Sequence, residues 1–484
     1  MRRAAVLVLG LILAVGSTSG QQTFPSITAG DRIVVVAPHP DDDVLGAGGL
    51  IQQAQKTGAA VHIIYLTSGD HNQIAFKLYK LRIHFRASQY RAFGEMRERE
   101  AIASTKWLGI KREQLTFLGY PDYGTLRIWR DYWGFGPPFR SDATLADAVP
   151  YPHTFGFGHP YKPENIVADL LAVFQQFRPT KIFVTHPLDT NPDHRAAANF
   201  VRLAVLQLAS QPPPEIYYYV IHFGRWPRPY HYHPELELEP PRALLDDGNW
   251  MFDPLTSEQI QKKYEAILQH RTQLTTREYF LVSFARTNEI FATIDVPSVP
   301  IIPATAVLDW RKAIRTKALR IAPVDAQNNP KSEIESEREE PGAPTEEAQP
   351  SSLELEESAF LRQGDDLIAQ VTLRNRLGKR ANVHLYLYAF KQGEHFDSFP
   401  KLQVNITPLG HVHVFNNGRL ITSSPLNVVS IQNRLIIRVP LKLLGRTTPD
   451  FLFAATRAGL GEASDTAWHL FSLSSQAGNV HNSE

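Results

Sequence analysis

The segment from Val34 to Asp43 constrains the fold of this chain more than any other. Four apolar residues of strand type, Val34 to Ala37, lead into Pro38-His39-Pro40 and then into three carboxylates, Asp41 to Asp43. A helical pattern begins directly afterwards, so these polar residues lie at the carboxyl end of a strand. A second cluster, Thr185 to His194, again combines histidine, aspartate and proline after an apolar run.

Residues 30–300 alternate between strand-like and helix-like patterns. The strand-like segments are Arg32–Ala37, Val61–Leu66, Leu115–Leu118 and Lys181–Thr185. The helix-like segments are Val44–Lys56, Met96–Leu108, Pro163–Phe177 and His194–Leu208. This alternation predicts an α/β domain with a Rossmann-like, mostly parallel sheet and helices on both faces. Ligands of such sheets bind beyond the carboxyl ends of the strands, where both polar clusters are expected.

The composition changes after residue 300. We interpret 301–357 as a helix followed by an acidic, proline-rich linker, because glutamates accumulate there around Pro341, Pro344 and Pro350. Residues 358–475 then show period-two alternation, with Asn417-Gly418 as a hairpin turn. They predict a separate β-sandwich, for which a glycan-binding role and a spacer role are the alternatives.

The first twenty residues have the pattern of an export signal. Arg2 and Arg3 precede an apolar run from Ala4 to Gly16, and small residues follow up to Gly20. A membrane anchor is the alternative, but the run is shorter than the roughly 20 residues of a spanning helix. No later segment is long and apolar enough to span. We therefore expect a soluble mature protein in the periplasm or outside the cell.

Charge and cysteine content exclude several classes of function. Lys and Arg total 50 and Asp and Glu total 49, so there is no net basic field to favour nucleic acid. Cysteine is absent, which excludes disulfides, thiolate zinc sites and cysteine nucleophiles. The glycine-rich run Gly46–Gly49 lacks the third glycine of a dinucleotide loop and follows carboxylates that would repel a pyrophosphate.

The two polar clusters together predict a divalent-metal hydrolase site. His39 and Asp42 are three residues apart, so one turn can direct both at the same point, and His194 is the natural third ligand. Asp41 then projects differently and can take a proton from water. Asp193 could cap the following helix or orient a reacting group. A turn followed by a helix N-cap is the alternative for the first cluster. His186 is either a further ligand or a structural histidine.

These motifs resemble the PIG-L/LmbE-like deacetylase family. Its first hallmark, A-H-P-D-D-E, stands here as Ala37–Asp43 with Pro38 inserted and Asp43 in place of glutamate. Its second, H-P-D-H, stands as Asn191–His194. Further agreement lies in Arg97-x-x-Glu100, in Leu118–Gly124, in Tyr217–His222, in Trp226-Pro227-x-Pro229, in Lys262–Gln273 and in Phe284–Phe291, so that the resemblance covers about 30–295.

The resemblance implies zinc-dependent removal of acetyl from an N-acetylated amino sugar of the N-acetylglucosamine type. His39, Asp42 and His194 would then bind Zn²⁺ or another divalent first-row metal, with Asp41 as the general base. Arg97 and Asp122 are implied substrate contacts, with a surface ion pair and a turn former as their alternatives.

Asn191 departs from the family pattern, because it replaces a histidine that stabilises the oxyanion or protonates the leaving group. Asparagine donates a hydrogen bond but supplies no proton at neutral pH. His222 or His186 could fill that role; a structural histidine is the alternative for His222.

One long segment, 122–163, is rich in aromatic residues and poor in periodic pattern. It suggests either a flap whose rings, including those of Trp129 and Trp133, stack on sugar, or a loop packed on itself. We thus expect an exported metal-dependent N-deacetylase acting on an N-acetylamino sugar or glycoconjugate. The alternatives are an amidase for a non-sugar N-acyl amine and a catalytically weakened glycan-binding protein.

Overall fold

The computed structural model describes residues 22–71, 86–208, 212–319, 355–374, 382–423, 425–459 and 464–474. The export signal predicted for 1–20 and most of the acidic linker lie outside these ranges. In the described part of 301–357, residues 301–319 form two strands and a 3-10 turn, so no α-helix is present there. No helix among the described residues is long and apolar enough to cross a membrane.

The first domain is built on an eight-stranded mixed sheet in the order β1-β7-β8-β6-β5-β2-β3-β4. Its strands are β1 Gln22–Thr23, β2 Arg32–Ala37, β3 Ala60–Thr67, β4 Leu115–Tyr120, β5 Lys181–Thr185, β6 Glu215–Tyr219, β7 Asn249–Pro254 and β8 Asn288–Thr293. Five neighbouring strands of this sheet, β6, β5, β2, β3 and β4, are parallel to one another. Strand β8 pairs antiparallel with both β6 and β7. The predicted α/β class is confirmed, with a mixed sheet.

Seven helices accompany this sheet in the described residues. They are α1 Asp42–Thr57, α2 Ala87–Trp107, α3 Thr125–Asp131, α4 Pro163–Phe177, α5 Pro192–Gln207, α6 Ser257–Ile267 and α7 Arg271–Leu281. Alternate residues of β2 enter two different cores: Val34 and Val36 pack with α4 and α5, whereas Ile33 and Val35 pack with α1. Helices therefore cover both faces, which explains why β2 is a continuous apolar run.

The glycine-rich run of α1 serves helix packing. A Cβ on Gly46 would lie 2.2 Å from the Tyr219 ring, and one on Gly49 would lie 2.3 Å from Leu255. Only glycine allows α1 to approach its neighbours this closely. The run thus has a packing role, in agreement with the exclusion of a dinucleotide loop.

The second domain is a β domain whose strand pairs are antiparallel, apart from one parallel pair. Its strands are β9 Ile301–Ile302, β10 Ile314–Leu319, β11 Leu355–Gln363, β12 Asp366–Leu373, β13 Asn382–Phe390, β14 Lys401–Ile406, β15 Val412–Asn416, β16 Arg419–Ile421, β17 Asn427–Ile431, β18 Arg434–Pro440, β19 Phe451–Gly459, β20 Ser464–Thr466 and β21 His469–Ser472. Eleven of them form one hydrogen-bonded path, β16-β15-β14-β13-β19-β20-β10-β11-β12-β18-β17, which curls around a shared apolar core. The predicted turn at Asn417-Gly418 joins β15 and β16, and both residues have positive φ.

The aromatic segment 122–163 joins the two domains. Trp129 and Trp133 are 0% and 4% exposed and pack on Phe396 of the second domain. These two indoles therefore cannot stack on a sugar, and the flap hypothesis is wrong for them. The segment is also not packed only on itself, because its core is continuous with both domains.

Candidate metal centre and active site

The candidate site lies at the carboxyl edge of the parallel strands. Strands β2 and β5 are neighbours in the sheet, so the loops that follow them meet. The loop after β2 leads into α1 and carries His39, whose backbone N–H donates to Asp42 Oδ2 at 2.8 Å. The loop after β5 leads into α5, and His194 lies in the first turn of that helix. The strand-to-helix pattern in the sequence predicted this meeting correctly.

Three donor atoms converge there. His39 Nδ1 lies 3.2 Å from Asp42 Oδ2 and 3.2 Å from His194 Nε2, and His194 Nε2 lies 3.1 Å from Asp42 Oδ2. A tetrahedral first-row ion with bonds of about 2.0–2.1 Å has its ligand atoms roughly 3.3 Å apart. The three side chains are buried and their atoms can hold one metal ion. The donor set thus fits a metal.

The outer nitrogen of each imidazole faces a carboxylate. His39 Nε2 lies 3.1 Å from Asp122 Oδ1 and 3.5 Å from Asp193 Oδ2, and His194 Nδ1 lies 3.1 Å from Asp189 Oδ2. Metal-binding histidines commonly have such partners, which fix the ring and its tautomer. Asp122, predicted as a substrate contact, therefore orients His39, although it also lines the pocket.

Asp189 is one residue of the site that the sequence interpretation missed. Its Oδ2 also accepts hydrogen bonds from the backbone N–H groups of Ile221 and His222, and its Oδ1 accepts one from Asn191. This one carboxylate therefore joins the loop after β5, the loop after β6 and the His194 ring. Its position five residues before His194, in the middle of the second cluster, was the available signal.

Asp193 fixes another part of the site. Its Oδ1 accepts hydrogen bonds from the Thr125 backbone and hydroxyl, and its Oδ2 accepts one from the Tyr123 backbone. Asp193 thus holds the segment that follows Asp122. The structure does not make it the helix cap: Asn191 is the N-cap of α5, and its Oδ1 accepts from the Asp193 N–H at 2.9 Å.

The donor atoms of His39, Asp42 and His194 form a triangle. Asp41 and Arg97 form an ion pair at its edge. Arg97 Nη2 donates to Asp41 Oδ1 at 3.0 Å, and its Nη1 donates to the Gly69 carbonyl. Arg97 is 4% exposed, so the alternative of a surface ion pair is wrong. Burial raises the pKa of Asp41, and the guanidinium of Arg97 opposes that rise.

The electrostatics of the triangle are dominated by carboxylates. Burial alone would lower the pKa of His39, but Asp122, Asp193 and Asp42 together raise that pKa well above its usual value. Burial would raise the pKa of Asp42, yet His194 and His39 hold it well below its usual range. An arrangement that stabilises positive charge at the imidazoles is one that favours a bound cation.

The pocket in front of the triangle contains most of the predicted residues. It is lined by His39, Asp41, Asp42, Leu45, Arg97, Asp122, Tyr123, Asn191, His222, Gln273, Arg277, Phe280 and Leu281. Asp193 and His194 lie behind it with no exposed surface. Tyr123, Gln273 and Arg277 were not singled out from the sequence.

The two other candidate histidines, His222 and His186, line different cavities. The His222 ring lies 5.0 Å from the His194 ring and stacks on Phe280 at the pocket wall. His186 instead stacks on Trp250 and lines a different cavity. His186 is therefore neither a ligand of this triangle nor a group that reaches its pocket.

Comparison with known proteins agrees with this geometry. Residues 34–205 match the family model described as PIG-L: GlcNAc-PI de-N-acetylase. The first domain is a PIG-L domain. The match begins at β2 and ends within α5, so it includes both polar clusters.

Relatives of the PIG-L domain cover about half of this chain. A 1D-myo-inositol 2-acetamido-2-deoxy-alpha-D-glucopyranoside deacetylase from Mycobacterium sp. (strain KMS) is 25% identical over 254 residues, which are 50% of this chain and 74% of the relative. A putative glucosamine-6-phosphate deaminase-like protein from Bacteroides thetaiotaomicron is 23% identical over 51% of this chain and 36% of its own. Among solved structures, N,N'-diacetylchitobiose deacetylase from Pyrococcus horikoshii aligns with a TM-score of 0.34 at 18% identity, over 54% of this chain and 83% of that one.

Proposed function

We propose that the protein is a metal-dependent deacetylase that removes acetyl from an N-acetylated amino sugar of the N-acetylglucosamine type. The observation that carries the proposal is the triangle of His39, Asp42 and His194, with the Asp41 carboxylate beside it in the pocket that the triangle borders. The PIG-L domain and the names of its relatives support the deacetylase class.

Zinc is the metal that we propose for the triangle. Two imidazoles and one carboxylate form a three-ligand set, which is usual in hydrolytic zinc sites, although other divalent first-row ions accept the same donors. When bound, such an ion supplies Lewis-acid chemistry and lowers the pKa of water. Asp122 and Asp189 would hold the two rings in the required tautomers.

Asp41 is the proposed general base. Its Oδ1 is held by Arg97, so Oδ2 remains to accept the proton of the attacking water. The ion pair fixes the direction of the carboxylate and favours its ionised form, while burial raises its pKa and makes it a stronger base than an exposed aspartate. Arg97 thereby acts as a positioning residue.

Two residues of the pocket are suited to the acetamide and the leaving amine. The amide oxygen of Asn191 is used by the helix cap, which leaves its Nδ2 to donate to a substrate oxygen. His222 lines the same pocket and is the side chain that we propose as the proton donor to the amine. This division of roles would compensate for the missing histidine at position 191.

The test is release of acetate from a panel of N-acetylglucosaminides, together with metal analysis of the purified protein. We expect one bound metal ion per chain and acetate release that is lost on chelation and restored by Zn²⁺. His39→Ala should lose both, whereas His413→Ala, at an exposed position of β15, should keep both. Tight metal binding without acetate release from any member would favour a weakened glycan-binding protein, and release only from non-sugar amides would favour an amidase.

Export and glycan contact belong to the same proposal. We propose a location in the periplasm or outside the cell, supported by the residues Arg2 to Gly20. A mature amino terminus near Gln21 in the exported fraction would support it, and an intact Met1 in the cytoplasm would contradict it. Contact of the second domain with a glycan predicts that the full chain binds a polymeric substrate more tightly than a small one.

A further inference from the structure

A second cavity lies between the two domains, and it shares no lining residue with the active-site pocket. Its volume is about 350 Å³, near the lower end of the roughly 300–1,000 Å³ of small-molecule sites. The first domain contributes His186, Arg202 and parts of β7 and β8, and the second domain contributes β21 with Trp468 before it. The candidate active site makes no use of these residues.

Arg202 is a buried cation at the floor of this cavity. It lies on α5 and is 7% exposed. Its Nε donates to the Tyr218 hydroxyl at 2.7 Å, and its guanidinium carbon lies 4.9 Å from the centre of that ring. Among the described residues no carboxylate lies within 4.0 Å of the guanidinium. Burying a charge with only a neutral partner is costly, so the two Nη groups are suited to an anion from solution.

Two imidazoles add hydrogen-bonding nitrogens beside Arg202. His186 Nδ1 accepts from the Leu188 N–H at 3.1 Å, so the neutral ring carries its proton on Nε2. That Nε2 is buried beside the Asp247 backbone, whose hydrogen-bonding influence raises the pKa of the ring, but the two groups do not reach full hydrogen-bond geometry. His469 Nε2, from the second domain, is also buried without a hydrogen bond among the described residues.

The two imidazoles are neutral near pH 7. Burial, together with a smaller contribution from the charge of Arg202, lowers the pKa of His186 to about 3 and that of His469 to about 4. Of the described buried residues that line this cavity, Arg202 therefore carries the charge, and that charge is a single positive one.

We propose that this cavity binds a small organic monocarboxylate. One carboxylate matches the single charge of Arg202 and offers two oxygens to its Nη groups and to the imidazole N–H groups. The apolar side chains of Ile294, Trp468 and Leu470 would receive the organic part of the ligand. Exposed carboxylates at the mouth, from Asp246, Asp247 and Asp295, disfavour a polyanion such as inorganic phosphate. The exposed Arg315 also lines the mouth, but its guanidinium is ion-paired with Glu357.

Calorimetry with benzoate on the full chain tests the proposal. Benzyl alcohol has the same ring without the charge, and inorganic phosphate has the charge without the ring. We expect benzoate to bind at least about tenfold more tightly than either probe, and Arg202→Gln to weaken benzoate by about 10- to 100-fold. Equal binding of benzoate and benzyl alcohol, stronger binding of phosphate, or no binding by the wild-type protein would overturn it.

Two controls keep the result specific to this cavity. Benzoate could also bind a metal ion, so its affinity must persist in protein stripped of metal, and loss on stripping would overturn the proposal. His469→Gln, on the other wall, tests the site without altering α5. It should weaken benzoate several-fold while the exposed His413→Gln does not, and equal affinity in these two variants would count against the site.

Discussion

The indole of Trp129 offers the most direct test of how the two domains are joined. It lies on α3 and is fully buried. Its ring centroid lies 5.1–6.4 Å from those of Trp133, Phe200, Tyr388, Phe396, Phe453 and Trp468. Four of these six rings belong to the second domain, so replacing Trp129 by alanine perturbs the interface from its centre.

The cost of Trp129→Ala can be bounded from its surroundings. Truncating a buried aromatic residue to alanine costs about 3–5 kcal/mol, more where the site cannot collapse. The neighbouring rings are anchored to two different sheets, which limits their movement into the space. We therefore expect a loss of about 4–5 kcal/mol, a large share of the roughly 5–15 kcal/mol that stabilises a folded protein.

Urea unfolding, followed by near-ultraviolet circular dichroism, measures this loss. Trp107→Ala is the matched control, because Trp107 is 51% exposed and should change the free energy of unfolding by less than about 0.5 kcal/mol. Trp129→Phe should cost less than about 2 kcal/mol, since it retains most of the ring contacts and removes an indole N–H that is buried without a partner among the described residues. A loss below about 1 kcal/mol for Trp129→Ala would refute the reasoning.

Trp129→Ala should also affect metal binding at the candidate site. Helix α3 begins at Thr125, which donates two hydrogen bonds to Asp193, and Asp193 faces His39. Loosening α3 removes part of this support, so Trp129→Ala should weaken metal affinity as well as stability. Unchanged metal affinity in a destabilised variant would show that the interface and the site are independent.

Three further predictions concern individual side chains. Asp189→Asn should weaken metal affinity by about 10- to 100-fold in a chelator competition, because the His194 ring loses its carboxylate partner. Asp41→Asn should reduce acetate release by at least about 100-fold while metal content stays unchanged, and a metal-free variant would contradict its assignment as base. Burial lowers the pKa of Lys401 to about 7, so between about pH 7 and 10 the unfolded chain binds more protons than the folded one. The free energy of unfolding should therefore rise with pH over that range, and Lys401→Met should flatten this rise. Urea unfolding at several pH values measures both.

The fold and the meeting of the three candidate ligands could be predicted because they depend on short-range patterns. An apolar run that stops at His39, and a second that stops at His186, mark the ends of parallel strands, and such ends share one edge of a sheet. The sequence alone therefore placed His39, Asp42 and His194 together. The start of α5 was less accurate: Pro192 begins the helix and Asn191 caps it, so the departure from the family motif at that position also has a structural role.

The remaining features depend on contacts that no local pattern reports. Asp189 resembles any loop aspartate until its oxygens are seen to join His194, Asn191 and the loop after β6. The aromatic residues of 122–163 suggested a sugar-binding surface because several partners of Trp129 and Trp133 lie more than two hundred residues away in the second domain. Once Trp129 is placed between Phe200 and Phe453, packing between the domains explains the two buried indoles, Trp129 and Trp133. The second domain then becomes a support for the wall that holds Asp122 against His39.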